Sequence, residues 1–305
     1  MGRAGVTPNS LQAWILGARP YSLPGAAAPV LVGGAWAVHT AAGQLPPGSL
    51  VPFVLCLLFA LVMQVAANLI NDYVDFKKGV DRPERVGPTR MFANGLITER
   101  AMRWGIGVAT AVGCCIGLPL VAYGGWPLIA VGALCVAGCY LYSTHLSYRG
   151  WGDVLVVLFF GVVPVFFTYY CVMAASSAPA PGRMEGLMGC GLGFGMGLVT
   201  DCLLVVNNYR DREQDAATGK RTLVVMLGGR FGLQFYLWLG VLGVALPACL
   251  SPWCALAMVI YLALHLWTWS RIRRLEGQAL NAMLGTTARN MLCYGLLLSL
   301  ALIAG

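Results

Sequence analysis

Charge is what this 305-residue chain has least of: only 10% of its residues are Asp, Glu, Lys or Arg, against 58% hydrophobic. With a mean hydropathy of +0.73, that composition excludes a water-soluble globule of ordinary surface and makes lipid the solvent. Histidine is nearly absent, and the three present, at 39, 145 and 265, have no metal-ligand spacing. Eleven cysteines occur, but the count is odd, no C-x-x-C pair exists and nearly all fall inside apolar runs. Neither a disulfide framework nor a zinc cluster is expected, and the thiols read as small packing groups. A catalytic triad is missing as well, which excludes the usual hydrolase chemistry.

Long apolar runs, by contrast, are abundant. They cover 23–42, 51–74, 104–122, 127–142, 154–174, 186–208, 231–247, 252–270 and 290–304, each near the ~20 residues a helix needs to cross the hydrocarbon. The expected fold is all-α, one domain over 1–305 with nine transmembrane helices, the last one short. With the amino terminus cytoplasmic, 19 of the 20 Lys and Arg fall on one side of the membrane, Arg183 being the exception. Topology therefore accounts for the net charge of +8 without a nucleic-acid partner. The stretch from Arg19-Pro20 through Ala26–Ala28 into Pro29 reads as a retained first helix and not a cleaved signal. The expectation is a multi-pass protein of the cell (inner) membrane, with lipid as its surroundings.

The acids that do occur are gathered. Eight of the twelve sit in two places: Asp72, Asp75, Asp81 and Glu84, and Asp201, Asp211, Glu213 and Asp215. In the first, Gln64, Asn68, Asn71, Asp72 and Asp75 recur at helical spacing and share one helix face; in the second, Asp201, Asn207, Asn208, Asp211 and Asp215 do the same. Both stripes end in Asp-x-x-x-Gly, Asp75 to Gly79 and Asp215 to Gly219, followed by basic residues. Four helices separate the copies, which suggests a weak internal duplication, with cap loops near 75–103 and 209–230 on the cytoplasmic side.

Polar groups at membrane depth are costly unless they line a cavity or bind something, so two matched stripes point to a site and not to ordinary helix ends. Facing carboxylates and amide oxygens are hard ligands suited to Mg²⁺ that shares its shell with phosphate oxygens. Lys77, Lys78, Arg82, Arg90, Lys220 and Arg221 follow the acids and could cradle a diphosphate. If that leaving group departs from an allylic carbon, an electron-rich aromatic ring can attack the resulting cation without a protein nucleophile. The loop from Tyr140 to Asp153, with Tyr142, Tyr148 and Arg149, could bound the allylic cation or the diphosphate; interfacial aromatics with one topology-setting Arg are the alternative.

The segments Asn68-Leu-Ile-Asn71-Asp72-Tyr-Val-Asp75-Phe-Lys-Lys-Gly79-Val-Asp81 and Asn207-Asn208-Tyr-Arg210-Asp211-Arg-Glu-Gln-Asp215-Ala-Ala-Thr-Gly219-Lys220-Arg221-Thr222 resemble the UbiA superfamily of intramembrane prenyltransferases. The Tyr148-Arg149-Gly150-x-Gly152-Asp153 loop, Phe160-Gly161, Thr168-Tyr169-Tyr170 and the opening Trp14-x-x-x-x-Arg19-Pro20 are most similar to its menaquinone branch, which prenylates 1,4-dihydroxy-2-naphthoate. The resemblance implies nine helices around a central cavity with a lateral opening, with Mg²⁺ bound by Asp72, Asp75, Asp211 and Asp215. Family members carry a third Asp where this chain has Gly79, which leaves Asp81 as a candidate metal ligand. Asn68, Asn71, Asn207 and Asn208 would orient metal or diphosphate, Lys78, Arg90, Arg149, Lys220 and Arg221 would hold the diphosphate, and Tyr142 would face the allylic cation. The implied substrates are a polyprenyl diphosphate and the naphthoate, joined with loss of CO₂.

Other aromatic acceptors (4-hydroxybenzoate, homogentisate, haem or a menadiol-like quinol) are the first alternative. A secondary transporter is a more remote one, since intramembrane acids and internal repeats also suit ion coupling. It predicts acids near the membrane midplane, whereas these lie at the ends of their spans. A scaffold would leave both asparagine-rich faces without a purpose.

Overall fold

The computed structural model describes residues 6–80, 86–176 and 182–305. Among these, α-helices carry nearly the whole chain: α1 Leu11–Ala18, α2 Pro24–Thr40, α3 Leu50–Lys77, α4 Glu99–Gly117, α5 Pro127–Leu141, α6 Gly152–Ala174, α7 Arg183–Ala217, α8 Gly229–Ala248, α9 Pro252–Ile272 and α10 Asn281–Ala304. Eight stretches are long and apolar enough to span a membrane, and α1 with α2, bent by 50°, makes the count up to nine. The chain is a multi-pass membrane protein.

The bundle is organised around α2, which buries eleven of its 17 residues and packs on α10, α6 and α3. α7 is the second axis, set against α6, α8 and α10. Both helices are rich in glycine because backbone must approach backbone where no hydrophobic effect drives helices together. The clearest case is Gly161, on a π-helical turn of α6 spanning Leu158–Val162. A Cβ there would lie 2.3 Å from the Gly193 carbonyl oxygen and 2.5 Å from the Gly197 Cα. α5 is the opposite case. None of its 15 residues is buried, so it stands between lipid on one side and a cavity on the other.

Two expectations need correcting. The last helix is not short: it has 24 residues, because polar residues that break its apolar run find partners inside the bundle. Asn290 donates to Thr268 Oγ1 at 2.8 Å, and Thr287 pairs with the Tyr236 hydroxyl at 3.2 Å. The cap is also partly helical. α3 runs on to Lys77 and α7 to Ala217; at about 1.5 Å per residue the 35 residues of α7 make roughly 52 Å, well beyond a ~30 Å hydrocarbon core.

Both overshooting helices stop the same way. Gly79 (φ +69°) and Gly219 (φ +76°) adopt the left-handed conformation, and the next amide, Val80 or Lys220, donates back to the carbonyl of Asp75 or Asp215 at 2.9 Å. The Gln214 side chain then donates to the Val80 carbonyl at 3.0 Å, tying the two helix mouths together.

Replacing Gly161 by Ala should destabilise the fold by about 1–3 kcal/mol through overpacking. Gly132→Ala on α5, where an added Cβ meets nothing within 4 Å, should be neutral or mildly stabilising. Thermal unfolding of the detergent-purified proteins checks both.

Candidate active site

A cavity of about 780 Å³ opens among α2, α3, α5, α6 and α7. Its deep part is apolar, walled by Val30, Phe59, Met63, Phe159, Phe160 and Phe167, and its mouth is polar. The π-helical turn of α6 is what turns Phe159 and Phe160 toward this space while Gly161 seats on α7.

On α3, the predicted stripe faces the cavity through Gln64, Asn68, Asn71 and Asp75. It is anchored to the break between α1 and α2: Asn68 donates to the Ala18 carbonyl at 2.8 Å and to Ser22 Oγ at 2.9 Å, and Gln64 to Ser22 Oγ at 3.1 Å. Arg19 forms that break with φ +53°, ψ +69°, a left-handed conformation unusual for a residue with a side chain. The kink aims its guanidinium at Asn71 Oδ1, 3.2 Å away, and onto Asp72. Arg90 reaches the same pair, at 3.0 Å from Asp72 Oδ1 and 3.3 Å from Asn71 Oδ1. Asp72, 1% exposed, thus lies behind the cavity wall, holding two arginines whose other faces line the mouth.

On α7, Asn207, Asn208, Asp211, Gln214 and Asp215 line the opposite wall. Arg210 forks onto Asp211, Nε to Oδ1 at 2.7 Å and Nη2 to Oδ2 at 2.6 Å, and also donates to Asn207 Oδ1 at 2.7 Å and Asn281 Oδ1 at 3.0 Å. Lys220 stands 3.6 Å from Asp215 Oδ1. The two walls therefore repeat one pattern: an amide and an acid fixed by arginine, then a second acid one turn on.

Tyr148 joins the halves. Its hydroxyl donates to Asp75 Oδ1 at 2.7 Å, the Lys78 ammonium lies 3.7 Å from its ring centroid, and Lys220 lies 5.8 Å from it. Lys78 also donates to the Thr144 carbonyl. Burial lowers the Lys78 pKa from its ordinary value, opposed by the charge of Asp75.

Of the residues expected from sequence, Asn68, Asn71, Asp75, Arg90 and Tyr142 reach the cavity from one side and Asn207, Asn208, Asp211, Asp215 and Lys220 from the other. Arg149 and Arg221 are exposed and off its wall; Arg221 contributes its backbone amide to the Tyr148 carbonyl at 3.2 Å. Lys78 is exposed at the rim, and Asp81 lies outside the described residues. Sequence reasoning did not assign Arg19 and Arg210 to the site, and offered Tyr148 only as one of the phenols of its loop. Arg19 and Tyr148 stood inside quoted motifs, but only the fold shows that they touch Asp72 and Asp75.

Among the described residues no three His, Cys, Asp or Glu side chains form a metal cluster by themselves. The donor set still fits a hard dication: Asp75, Asp211, Asp215 and four amides are oxygen donors around one mouth, and no thiol or imidazole stands among them. Phosphate oxygens of a ligand would complete such a shell.

An apolar cavity inside the membrane, closed by a mouth of acids, amides and cations, defines an intramembrane site for a ligand with a long apolar tail and an anionic head. Residues 26–295 match the UbiA prenyltransferase family, and the chain belongs to that family. It is 34% identical over 260 residues to a 1,4-dihydroxy-2-naphthoate octaprenyltransferase of Mycobacterium tuberculosis, covering 82% of each chain. It is also 34% identical to the Escherichia coli protein of the same name, over 71% of this chain and 69% of that one, and 28% identical to human UbiA prenyltransferase domain-containing protein 1, over 93% and 81%. The fold is that of a UbiA homolog from Aeropyrum pernix (TM-score 0.65, 16% identity, 93% of this chain and 96% of that one). A UbiA homolog from Archaeoglobus fulgidus bound to GPP and Mg²⁺ is also similar (TM-score 0.59, 17% identity, 96% and 100%). The family match sets the transporter reading aside.

Arg210 has no exposed side-chain surface, so Arg210→Ala removes the buried guanidinium that forks onto Asp211. It should cost about 3–5 kcal/mol, visible as a large fall in the thermal midpoint. Arg221→Ala, at the surface, should leave that midpoint unchanged.

Proposed function

We propose that this chain transfers a polyprenyl group from its diphosphate to 1,4-dihydroxy-2-naphthoate, releasing diphosphate and CO₂ and giving demethylmenaquinol for menaquinone synthesis. The observation that carries the reading is the pairing of two Asn/Asp helix mouths, edged by Arg19, Arg90 and Lys220, at the polar end of one apolar cavity. The names of the bacterial relatives support the choice of acceptor.

The prenyl tail lies along the aromatic and aliphatic floor, which costs nothing in lipid and excludes water from the reacting carbon. Asp75, Asp211 and Asp215, with Asn71, Asn207 and Asn208, would hold Mg²⁺, which supplies charge neutralisation that makes diphosphate a good leaving group. Asp72 serves the same head group through the arginines it fixes: Arg19 and Arg90 present their remaining N–H donors to the diphosphate. Tyr142 lines the cavity between mouth and floor, where its ring face stabilises a delocalised allylic cation. The acceptor ring attacks that cation at the carbon bearing the carboxylate. The basic loops and acid mouths lie at one end of the bundle, and by the positive-inside rule that end faces the cytoplasm of a cell whose inner membrane holds the protein, amino terminus inside.

Purified protein incubated with geranylgeranyl diphosphate and 1,4-dihydroxy-2-naphthoate should give a prenylated, decarboxylated product by mass spectrometry with Mg²⁺ and none with excess EDTA. Asp75→Ala and Asp215→Ala should each lose turnover while remaining folded and extractable. Conversion of 4-hydroxybenzoate or another phenol instead of the naphthoate would keep the site and change the acceptor; wild-type turnover by either Asp variant would overturn the site.

A further inference from the structure

Two acids of this cavity region have no part in holding the head group. Asp153, in the first turn of α6, is 5% exposed and lines the cavity. Among the described residues its Oδ1 has no hydrogen-bond partner, and no Lys or Arg acts on it. Asp201 on α7 is fully buried behind it, with neither carboxylate oxygen hydrogen-bonded. The two are electrostatic neighbours of each other and of Tyr142, and Tyr142 is in turn a neighbour of Asp75. Packing says the same: a Cβ on Gly152, the residue before Asp153, would lie 3.7 Å from Tyr142 Cε2.

Asp75, Asp72, Asp211 and Asp215 all have a cation or phenol on them. A carboxyl group with no cation, in a water-poor pocket beside a second carboxyl group, is the one able to change its protonation state, because two such groups share a proton more cheaply than they both ionise. The reaction proposed above has a use for such a group, since removing the hydroxyl proton makes the attacked carbon more electron-rich. Attack by the ring forms the new C–C bond as the allylic C–O bond breaks with its electron pair leaving on diphosphate. A base takes the proton of the hydroxyl next to the attacked carbon, leaving a ketone. When the C–CO₂ bond breaks, its electron pair re-forms the aromatic ring and the ketone oxygen takes a proton back. The net reaction releases no proton, so the base that takes it must keep it out of water and return it.

We propose that Asp153 is a catalytic residue that takes the proton from the acceptor hydroxyl beside the attacked carbon and returns it after CO₂ leaves, with Asp201 behind it as a positioning residue. This rests on the prenyl-transfer reading, but needs only an acceptor with a hydroxyl next to the attacked carbon. The test therefore uses whichever acceptor the wild type converts, so that a wrong acceptor and a wrong base give different results.

Asp153→Asn keeps the shape but cannot accept a proton. Its kcat should fall by about 10²–10⁴-fold while the KM for geranylgeranyl diphosphate stays at the wild-type value, and Asp153→Glu should recover part of the loss. The matching acceptor, O-methylated at the adjacent hydroxyl, has no proton to give. Wild type should be as slow on it as Asp153→Asn, and the variant should lose nothing further. A KM rise with unchanged kcat, or equal losses from Asp153→Asn on the free and methylated acceptors, would overturn the proposal.

Discussion

A carboxylate held ionised at membrane depth has to be paired, and the arginine clamps on Asp72 and Asp211 are what the rest of this structure is arranged around. Arg19 can reach Asp72 only because the chain breaks between α1 and α2 in a left-handed turn. The break in turn is held by Asn68 and Gln64 bonding to Ala18 and Ser22. Arg210 reaches Asp211 along its own helix, and extends the same network to Asn281 at the start of α10. Each clamp therefore fixes an acid and also fastens a different element to a helix mouth. With ionised groups in hydrogen bonds worth roughly 1.5–3 kcal/mol each, the mouths are rigid before any ligand arrives, and a preorganised site loses little to reordering.

The same constraint divides the labour among the acids. Those gathered at the mouth are surrounded by Arg90, Lys220, Tyr148 and the amides, the set that the proposed reaction gives to a metal and its phosphate. Asp153 and Asp201 lie next to Tyr142 without a cation, and so are suited to proton traffic. The two sets of acids differ in their neighbours and not in the helix that carries them, since Asp201 shares α7 with Asp211 and Asp215. The apolar floor beyond them needs no such care, since packing there is between glycine backbone and phenylalanine rings, and its role is to exclude water and take the tail.

Much of this could be read from residues alone, and for a physical reason. In lipid, every polar stripe must be accounted for, so Asn68, Asn71 and Asp75 stood out against an apolar helix as no surface stripe of a soluble protein would. The Asp-x-x-x-Gly endings announced helix stops that the backbone forms through Gly79 and Gly219. What could not be read were the pairings across the fold. Nothing in the spacing of Asp72 distinguishes an acid facing the cavity from one turned onto Arg19 and Arg90, and nothing near Arg149 and Arg221 says that they point outward while Arg90, in the same kind of loop, points in. The short last helix was misjudged for a related cause: Thr287 and Asn290 look like the end of a span until their partners on α8 and α9 are known.

Tyr148 shows how far a single pairing reaches. Its hydroxyl fixes Asp75, its ring takes the Lys78 ammonium, and its carbonyl accepts the amide of Arg221, so one residue of the α5–α6 loop bridges the ends of both α3 and α7. α5, which leads into this loop, has no buried residue of its own and is therefore the wall most easily displaced. The helix with no buried residue and the hub of the mouth are thus joined in sequence, so the least packed wall of the cavity is tethered to its most tightly bonded part.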